Sequence, residues 1–258
     1  MGGVDIKDLS LGYGREPAVR GLTGRFAPGG LTAVVGPNGS GKTTLLKGLA
    51  RRLAPLSGVI DLGGLVPGQI AYLPQAHGLD LNFPLALIDL ISLGFIGRRG
   101  LFGGLAASER ERLAAAVAAV GLEGLERRPL GEVSGGQLQR ALFARVLVQD
   151  AQLVLLDEPF TGIDARAAED LAELMAQWPA QGRTVIAVLH DLDLVRRLCP
   201  HTLVLAHEQV AWGPTAEVLR PEALVRARRL AENWSVPEPA GQVLTRQAST
   251  PQPLERQP

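Results

Sequence analysis

The chain is poor in cysteine and aromatic residues and carries no net charge. Its single cysteine, Cys199, excludes an internal disulfide, so the sequence does not indicate an oxidising compartment. Lysine plus arginine number 26 and aspartate plus glutamate also number 26, so we expect no nucleic-acid partner held by a basic surface. The histidines, at positions 77, 190, 201 and 207, lack the paired spacing of a zinc site.

Long apolar runs are also missing. The alanine-rich stretch 113–120 is far shorter than the roughly 20 residues that cross a bilayer, and it follows the charged residues 109–112. This pattern predicts an amphipathic helix. No charged leader with an apolar core precedes the domain, so we expect neither a membrane span nor an export signal. With 258 residues and 46% hydrophobic content, the chain can bury a full α/β core.

A phosphate-loop pattern, G-x-x-x-x-G-K-[ST], is present over residues 36–44. The apolar run 31–35 predicts a buried strand before it, and residues 43–50 predict a helix after it. Glycines let the backbone approach a ligand, and the N–H groups at the helix start form a cradle for a triphosphate. The Lys42 ammonium would reach the β- and γ-phosphates, and the Thr43 hydroxyl would bind Mg²⁺. The predicted nucleotide-binding residues here are Gly36, Pro37, Asn38, Gly39, Ser40, Gly41, Lys42, Thr43 and Thr44.

Two carboxylates follow an apolar run further along the chain. Residues 153–156 predict a strand of a parallel sheet, buried on both faces, that delivers Asp157 and Glu158 to the sheet edge where such sheets bind ligands. We expect Asp157 to orient Mg²⁺ and Glu158 to polarise the attacking water as a general base. Taken alone, the segment could also be a strand that ends in a solvated turn, because Asp-Glu-Pro favours turns. The phosphate loop upstream favours the catalytic interpretation.

A third motif, Ser134-Gly135-Gly136-Gln137, stands between these two and begins a helical pattern over residues 138–148. Ser134 can cap the helix, and the glycines leave N–H groups free for a phosphate. In this order the motifs resemble those of the ATP-binding-cassette (ABC) ATPases, with Val133 where leucine is more usual. The resemblance implies an α/β fold: a P-loop NTPase core with a RecA-like, mostly parallel sheet, an antiparallel β edge and a helical insertion subdomain.

The resemblance also implies roles for single residues. Tyr13 matches the aromatic residue that stacks on adenine, although an ordinary strand aromatic is an alternative. Gln75 matches the glutamine that contacts magnesium and water, and His190 matches the histidine that bonds the γ-phosphate. Asp164 matches the aspartate that reaches the opposite subunit. The implied catalytic residues are Glu158, His190 and Gln75; the implied metal ligands are Thr43, Gln75 and Asp157; further nucleotide contacts are Tyr13, Ser134, Gly135, Gly136, Gln137 and Asp164.

The pattern along the chain divides it into segments. We expect residues 1–76 and 133–220 to form the nucleotide-binding core and residues 77–132 the helical subdomain that contacts a permease. Residues 221–234 predict a terminal helix. Residues 235–258 are rich in Pro, Gln, Ser and Thr and predict a disordered tail.

The implied function is an ATPase that drives membrane transport. Two copies would pair head to tail around two ATP molecules and drive integral membrane permease subunits, at the cytoplasmic face of the inner membrane, with an exported solute-binding protein as an indirect partner. Four segments together resemble the bacterial subfamily that takes up zinc, manganese or iron: residues 82–84, 89–94, 100–102 and 158–164. We place zinc slightly ahead of manganese.

Three alternatives remain open. The ATPases of iron-chelate and corrinoid importers have similar residues in these segments. A soluble ABC ATPase of DNA repair or translation usually has a coiled-coil insertion or a second cassette, and neither is visible here. A nucleotide-binding regulator without turnover is disfavoured by Glu158 and His190.

Overall fold

The computed structural model describes residues 3–14, 16–75, 81, 83–96 and 104–232. The expectations for His77, for Asn82, for the glycines at 97, 100 and 103, and for the tail 235–258 lie outside these residues. The strands are β1 (Val4–Tyr13), β2 (Glu16–Phe26), β3 (Leu31–Val35), β4 (Ser57–Asp61), β5 (Ile70–Leu73), β6 (Leu153–Asp157), β7 (Thr184–Val188), β8 (His201–Ala206) and β9 (Glu208–Pro214). The helices are α1 (Lys42–Leu49), α2 (Leu87–Ser92), α3 (Ala107–Ala119), α4 (Gly135–Gln149), α5 (Ala165–Gln177), α6 (Leu192–Leu198), α7 (Thr215–Val218) and α8 (Pro221–Glu232).

Two sheets organise the molecule. The larger has the order β5-β6-β7-β3-β8-β9, in which all neighbours are parallel except β9, which runs antiparallel to β8. The smaller is antiparallel and has the order β2-β1-β4. The predicted α/β fold with a mostly parallel sheet and an antiparallel β edge is confirmed. The antiparallel part is a separate sheet together with one edge strand of the main sheet.

The parallel strands are mostly apolar because both of their faces are covered. Side chains alternate along a strand, so Leu153 and Leu155 pack with α1 and the antiparallel sheet. Val154 and Leu156 pack with the helices of the opposite face. The same alternation turns Asp157 toward α1, which is the helix that follows the phosphate loop.

The described part of the segment between β5 and α4 contains the helices α2 and α3, with turns and loops beside them. Leu113, Ala116 and Val117 form the buried stripe of α3, which confirms the predicted amphipathic helix. Gly94 lies against α4, where an added Cβ would stand 2.4 Å from the carbonyl oxygen of Arg145. Arg112 ties α3 to α4 by donating to the Val148 carbonyl at 3.0 Å. This segment therefore packs on the helix that begins with the Ser-Gly-Gly motif.

Two smaller expectations also have outcomes. Cys199 follows the last residue of α6 and is buried, and burial raises the pKa of its thiol to about 12, which disfavours the reactive thiolate. Within the described ranges, no helix is long and apolar enough to cross a membrane.

Candidate functional site

The phosphate loop (residues 36–44) leaves the buried strand β3 and begins α1. Gly39 and Gly41 have positive φ angles of 77° and 94°, which favour glycine. An added Cβ on Gly41 would stand 2.5 Å from the carbonyl oxygen of Ala18, and one on Gly36 would stand 2.0 Å from that of Leu205. The loop therefore passes closely between the neighbouring strands, and its glycines are needed by this chain itself.

The turn between β8 and β9 supports the loop. The backbone N–H of His207 donates to the Ser40 carbonyl at 2.9 Å, and the His207 Nδ1 lies 3.0 Å from the carbonyl oxygen of Ala18. Burial lowers the pKa of the His207 imidazole, and the bond to Ala18 opposes this only in part. This support could not be predicted from local sequence, because His207 follows Ala18 by 189 residues.

Lys42 places a positive charge at the mouth of the loop. Its Nζ donates to the carbonyl oxygens of Gly36 at 2.9 Å and Pro37 at 2.7 Å. Burial lowers the pKa of the ammonium, while the nearby carboxylates of Glu158 and Asp157 raise it. Lys42 is 6% exposed, so its charge is largely shielded from water.

Asp157 is fully buried beneath the loop, on the face toward α1. The Thr43 hydroxyl donates to its Oδ1 at 3.1 Å, and the Tyr72 hydroxyl donates to its Oδ2 at 3.3 Å. Burial raises the pKa of the Asp157 carboxyl, and the two hydroxyl donors oppose that rise. Asp157 and Thr43 offer the oxygen atoms that Mg²⁺ prefers, so these residues fit a magnesium ion.

Tyr72 is a part of this site that the sequence reasoning missed. It stands beside Leu155 in the parallel register between β5 and β6, on the same face as Asp157. The feature that could have indicated Tyr72 is an aromatic side chain with a hydroxyl group, in a predicted strand three residues before Gln75. It becomes informative only once the strand order is known.

Glu158 and His190 form a close pair. The His190 Nε2 lies 2.7 Å from the Glu158 Oε1, and the Thr161 hydroxyl donates to Oε2 at 3.3 Å. Burial acts to raise the pKa of the Glu158 carboxyl, but the bonds from His190 and Thr161 and the charge of Lys42 lower it overall. Glu158 therefore stays ionised and can accept a proton. Its φ angle of 51° turns the side chain out of the strand direction at the end of β6.

A cleft of about 610 Å³ brings most of the predicted residues together. Its volume lies within the usual range for small-molecule sites. The phosphate loop, Gln75, Glu158 and His190 meet at its walls, while Asp157 lies behind Thr43. The cleft is lined by Asn38, Gly39, Ser40, Gly41, Lys42, Thr43, Thr44, Gln75, Glu158 and His190.

The signature segment (residues 134–137) lies outside this lining. The Ser134 Oγ accepts from the Gln137 N–H at 3.2 Å, and the Gln137 Oε1 accepts from the Ser134 N–H at 2.9 Å. This capping box confirms the predicted helix cap of α4. Asp164 likewise caps α5, because its Oδ1 accepts from the Ala167 N–H at 3.0 Å. Neither segment contributes to the wall of the cleft in its own chain.

Tyr13 also lies away from the cleft lining. It ends β1 with 58% of its surface exposed. The Lys47 Nζ donates to its hydroxyl at 3.0 Å, which holds the ring beside α1. The ring is thus a surface platform next to the helix of the phosphate loop.

Gln139 is a second residue that the sequence reasoning missed. It is 2% exposed within α4, and its Nε2 donates to the Pro159 carbonyl at 3.0 Å and to the Glu158 carbonyl at 3.5 Å. It joins the helix of the signature segment to the backbone that carries Glu158. A polar residue inside the apolar face of a predicted helix was the available signal.

Comparisons with known proteins agree with this arrangement. Residues 19–161 match the family model described as ABC transporter. The manganese transport system ATP-binding protein MntA of Synechocystis sp. is 36% identical over 228 residues, which cover 86% of this chain and 88% of that protein. The zinc transport system ATP-binding protein TroB of Treponema pallidum is 34% identical over 228 residues, 87% of this chain and 86% of that protein.

A solved structure has the same fold. It shows a metal-chelate type ABC transporter in an inward-facing conformation and is 25% identical, with a TM-score of 0.76 over 89% of this chain and 90% of that chain. The family match spans more than half of the sequence, and the relatives span most of it. The chain therefore belongs to the ABC transporter family and is an ATP-binding ATPase of that family.

Proposed function

We propose that this chain hydrolyses magnesium-bound ATP to drive the transport of a divalent metal ion through a membrane-embedded partner. One observation carries the hydrolytic part: Glu158 and His190 meet at 2.7 Å in the same cleft as Lys42 and Thr43. The metal part rests on the similarity to the manganese- and zinc-system proteins over most of the chain.

The phosphates would bind to the N–H groups of the loop and to the Lys42 ammonium. A phosphate oxygen is a stronger acceptor than the carbonyls that hold Lys42, so the ammonium would move to the ligand. Mg²⁺ would be held by Thr43, Gln75 and Asp157 and would neutralise phosphate charge. The burial of Asp157 and the two hydroxyl groups that donate to its carboxylate support this assignment.

Glu158 would act as the general base. Its Oε would accept one proton of the attacking water while the water oxygen bonds to the γ-phosphorus and the bond to the β–γ bridging oxygen breaks. His190 would hold the Glu158 carboxylate in place and donate to a γ-phosphate oxygen. The position of the ionised Glu158 carboxylate, in the wall of the cleft and 2.7 Å from His190, supports this role.

The signature segment and Asp164 would serve a second copy of the chain. Ser134 and Gly135 are exposed, and they lie outside the cleft of their own chain. We infer that Ser134, Gly135, Gly136 and Gln137 contact the nucleotide bound by the facing copy, and that Asp164 helps to position that site. Tyr13 would stack on adenine from its exposed position beside α1.

The division of the chain follows from this proposal. Residues 1–76 and 133–220 would form the nucleotide-binding core, and residues 77–132 would contact the permease at the cytoplasmic face of the inner membrane. The packing of α3 on α4 supports transmission of motion between the two parts. An exported solute-binding protein would deliver the cargo. Residues 221–234 would be a terminal helix, and the tail 235–258 would be disordered.

The identity of the metal is a finer proposal. Zinc ahead of manganese remains our prediction, although relatives are named for each metal. A metal chelate is the second candidate, favoured by the similarity to the metal-chelate type transporter. The cargo would not touch this chain, and in its described part no cluster of potential metal ligands is present.

The test is metal accumulation in a deletion strain whose redundant importers have been removed. Under metal limitation, we expect lower cellular zinc or manganese, restored by the wild-type gene and not by Glu158→Gln. The variant Glu217→Gln, at an exposed position outside the segment proposed to contact the permease, is the matched control and should restore accumulation. Unchanged content of zinc, manganese and iron in the deletion strain would contradict the transport proposal.

A further inference from the structure

A second cavity, of about 290 Å³, lies apart from the phosphate loop. Its walls come from the turn after α1, from β5, from the turn after α2 and from α4. Two arginines, Arg52 and Arg145, line it. Leu93, which is 40% exposed, lines it as well.

Protein groups hold both guanidinium groups in place. The Arg52 guanidinium carbon lies 4.9 Å from the centroid of the Tyr72 ring. An Arg145 Nη donates to the Tyr72 carbonyl oxygen at 3.5 Å. Such contacts with an aromatic face and a carbonyl oxygen orient a guanidinium without neutralising it.

Neither arginine has a carboxylate partner among the residues that the structure describes. Burial lowers the pKa of Arg145, and the positive charge of Arg52 lowers it further. Arg52 is exposed and Arg145 is half-buried, so an anion that contacts both guanidinium groups would relieve the repulsion between them. An apolar residue at position 145 would fill the same space without this cost.

We propose that Arg52 and Arg145 form a binding site for a carboxylate. A guanidinium offers two parallel N–H donors that match the two oxygens of a carboxylate. The cavity holds a group of the size of a small dicarboxylate or an acidic side chain, and Leu93 contacts its apolar stem. The carboxylate belongs either to a free small acid or to the membrane-embedded partner, and only the second source rests on the proposed function.

The first experiment measures protection of the arginines in the isolated chain. Phenylglyoxal modification is followed by peptide mass spectrometry, with saturating ADP and Mg²⁺ so that the phosphate loop does not bind the probe. Sodium malonate is compared with sodium chloride at equal ionic strength. If a free carboxylate is the ligand, malonate slows the modification of Arg52 and Arg145 about threefold. Arg51, the adjacent exposed arginine outside the cavity, reacts at the same rate in both salts.

The second experiment repeats the measurement on the complex with its permease subunits, without malonate. If the partner supplies the carboxylate, Arg52 and Arg145 are protected in the complex and malonate has no effect on the isolated chain. The double variant Arg52→Gln/Arg145→Gln then binds the permease at least about tenfold more weakly, whereas Arg51→Gln binds normally. The unfolding midpoint of each variant is measured in parallel, and Arg52→Lys/Arg145→Lys, which keeps both positive charges, recovers part of the permease binding; this separates loss of the site from loss of the fold.

Equal modification rates with and without malonate, together with no protection in the complex, would overturn the proposal. This outcome is distinct from failure of the proposed function. Transport could fail the metal-accumulation test while protection by malonate persists, and metal accumulation could be confirmed while both arginines remain unprotected.

Discussion

The phosphate loop and the signature segment both stand at the start of a helix and both contain adjacent small residues, yet their surroundings differ. A Cβ on Gly41 would stand 2.5 Å from the Ala18 carbonyl oxygen, whereas a Cβ on Gly135 would meet nothing within 4 Å. Gly41 is therefore required by the packing of its own chain. Gly135 faces open space, where it can admit the backbone or phosphate of another molecule.

The two regions also differ in charge. Around the phosphate loop, burial lowers the pKa of Lys42 and raises that of Asp157, whereas the bonds from His190 and Thr161 and the charge of Lys42 lower the pKa of Glu158. At the signature segment, the hydrogen bonds of Ser134 and Gln137 form a local cap. The phosphate loop therefore has the charged groups of its site within its own chain, whereas the signature segment provides a defined shape. This is what a site shared between two copies would need.

The largest effect should follow a change inside the cleft. Glu158→Gln removes the proton acceptor but keeps the bonds to His190 and Thr161 possible, so ATP binding should persist while hydrolysis falls by about 10²–10⁴. Turnover and ATP-dependent dimer formation by gel filtration are the measurements. Wild-type turnover together with a monomer would contradict the assignment of Glu158.

A pair of glycine substitutions tests the comparison directly. Gly41→Ala must fit a side chain at a φ of 94° and against Ala18, so we expect a loss of about 1–3 kcal/mol in the free energy of unfolding and loss of ATP binding. Gly135→Ala should leave both unchanged and lower hydrolysis about tenfold or more. Denaturant unfolding and nucleotide titration are the measurements. Equal destabilisation by the two substitutions would remove the distinction between the regions.

The third change removes a single donor to the buried carboxylate of the cleft. Tyr72→Phe keeps the ring but loses the hydrogen bond from the hydroxyl to Asp157, which is worth about 1 kcal/mol. We therefore expect the magnesium concentration needed for half-maximal hydrolysis to rise about fivefold. A magnesium titration of the hydrolysis rate measures this shift. An unaltered titration would show that Tyr72 has no part in the site.

The smallest effect concerns the support of the phosphate loop at low pH. The pKa of His207 is lowered in the folded protein, so the unfolded chain binds its proton more readily. The contribution of His207 is complete above its ordinary pKa of about 6.5 and is lost as the pH falls toward the lowered value. We expect His207→Asn to flatten the decline in unfolding free energy below about pH 6.5. The same slope in both proteins would exclude this role.

Most of the fold and the motif residues of the cleft could be predicted from the sequence. A buried parallel strand is apolar at nearly every position, and a phosphate loop has a fixed spacing, so β3, β6 and the loop were recognisable from residues near each other in the chain. The order of the motifs was enough to indicate the family, which the comparisons confirm.

The supporting residues could not be predicted in this way. Tyr72 reaches Asp157 only because β5 lies beside β6, and His207 reaches Ala18 across 189 residues. Gln139 bonds the backbone of Pro159 because α4 and the end of β6 are adjacent in space. Such contacts depend on strand order and helix packing, and no local pattern in the sequence records them.

The central claim is that the signature segment serves the nucleotide of another copy, and mixing two inactive variants tests it most directly. Lys42→Ala impairs phosphate binding, and Ser134→Arg blocks the signature segment, so neither homodimer has an intact site. In a mixed dimer that shares its sites between chains, one site has both defects and the other has none. We predict that hydrolysis returns on mixing. If Ser134 served the nucleotide of its own chain, both sites of the mixed dimer would remain defective, and the absence of any recovery would contradict the account.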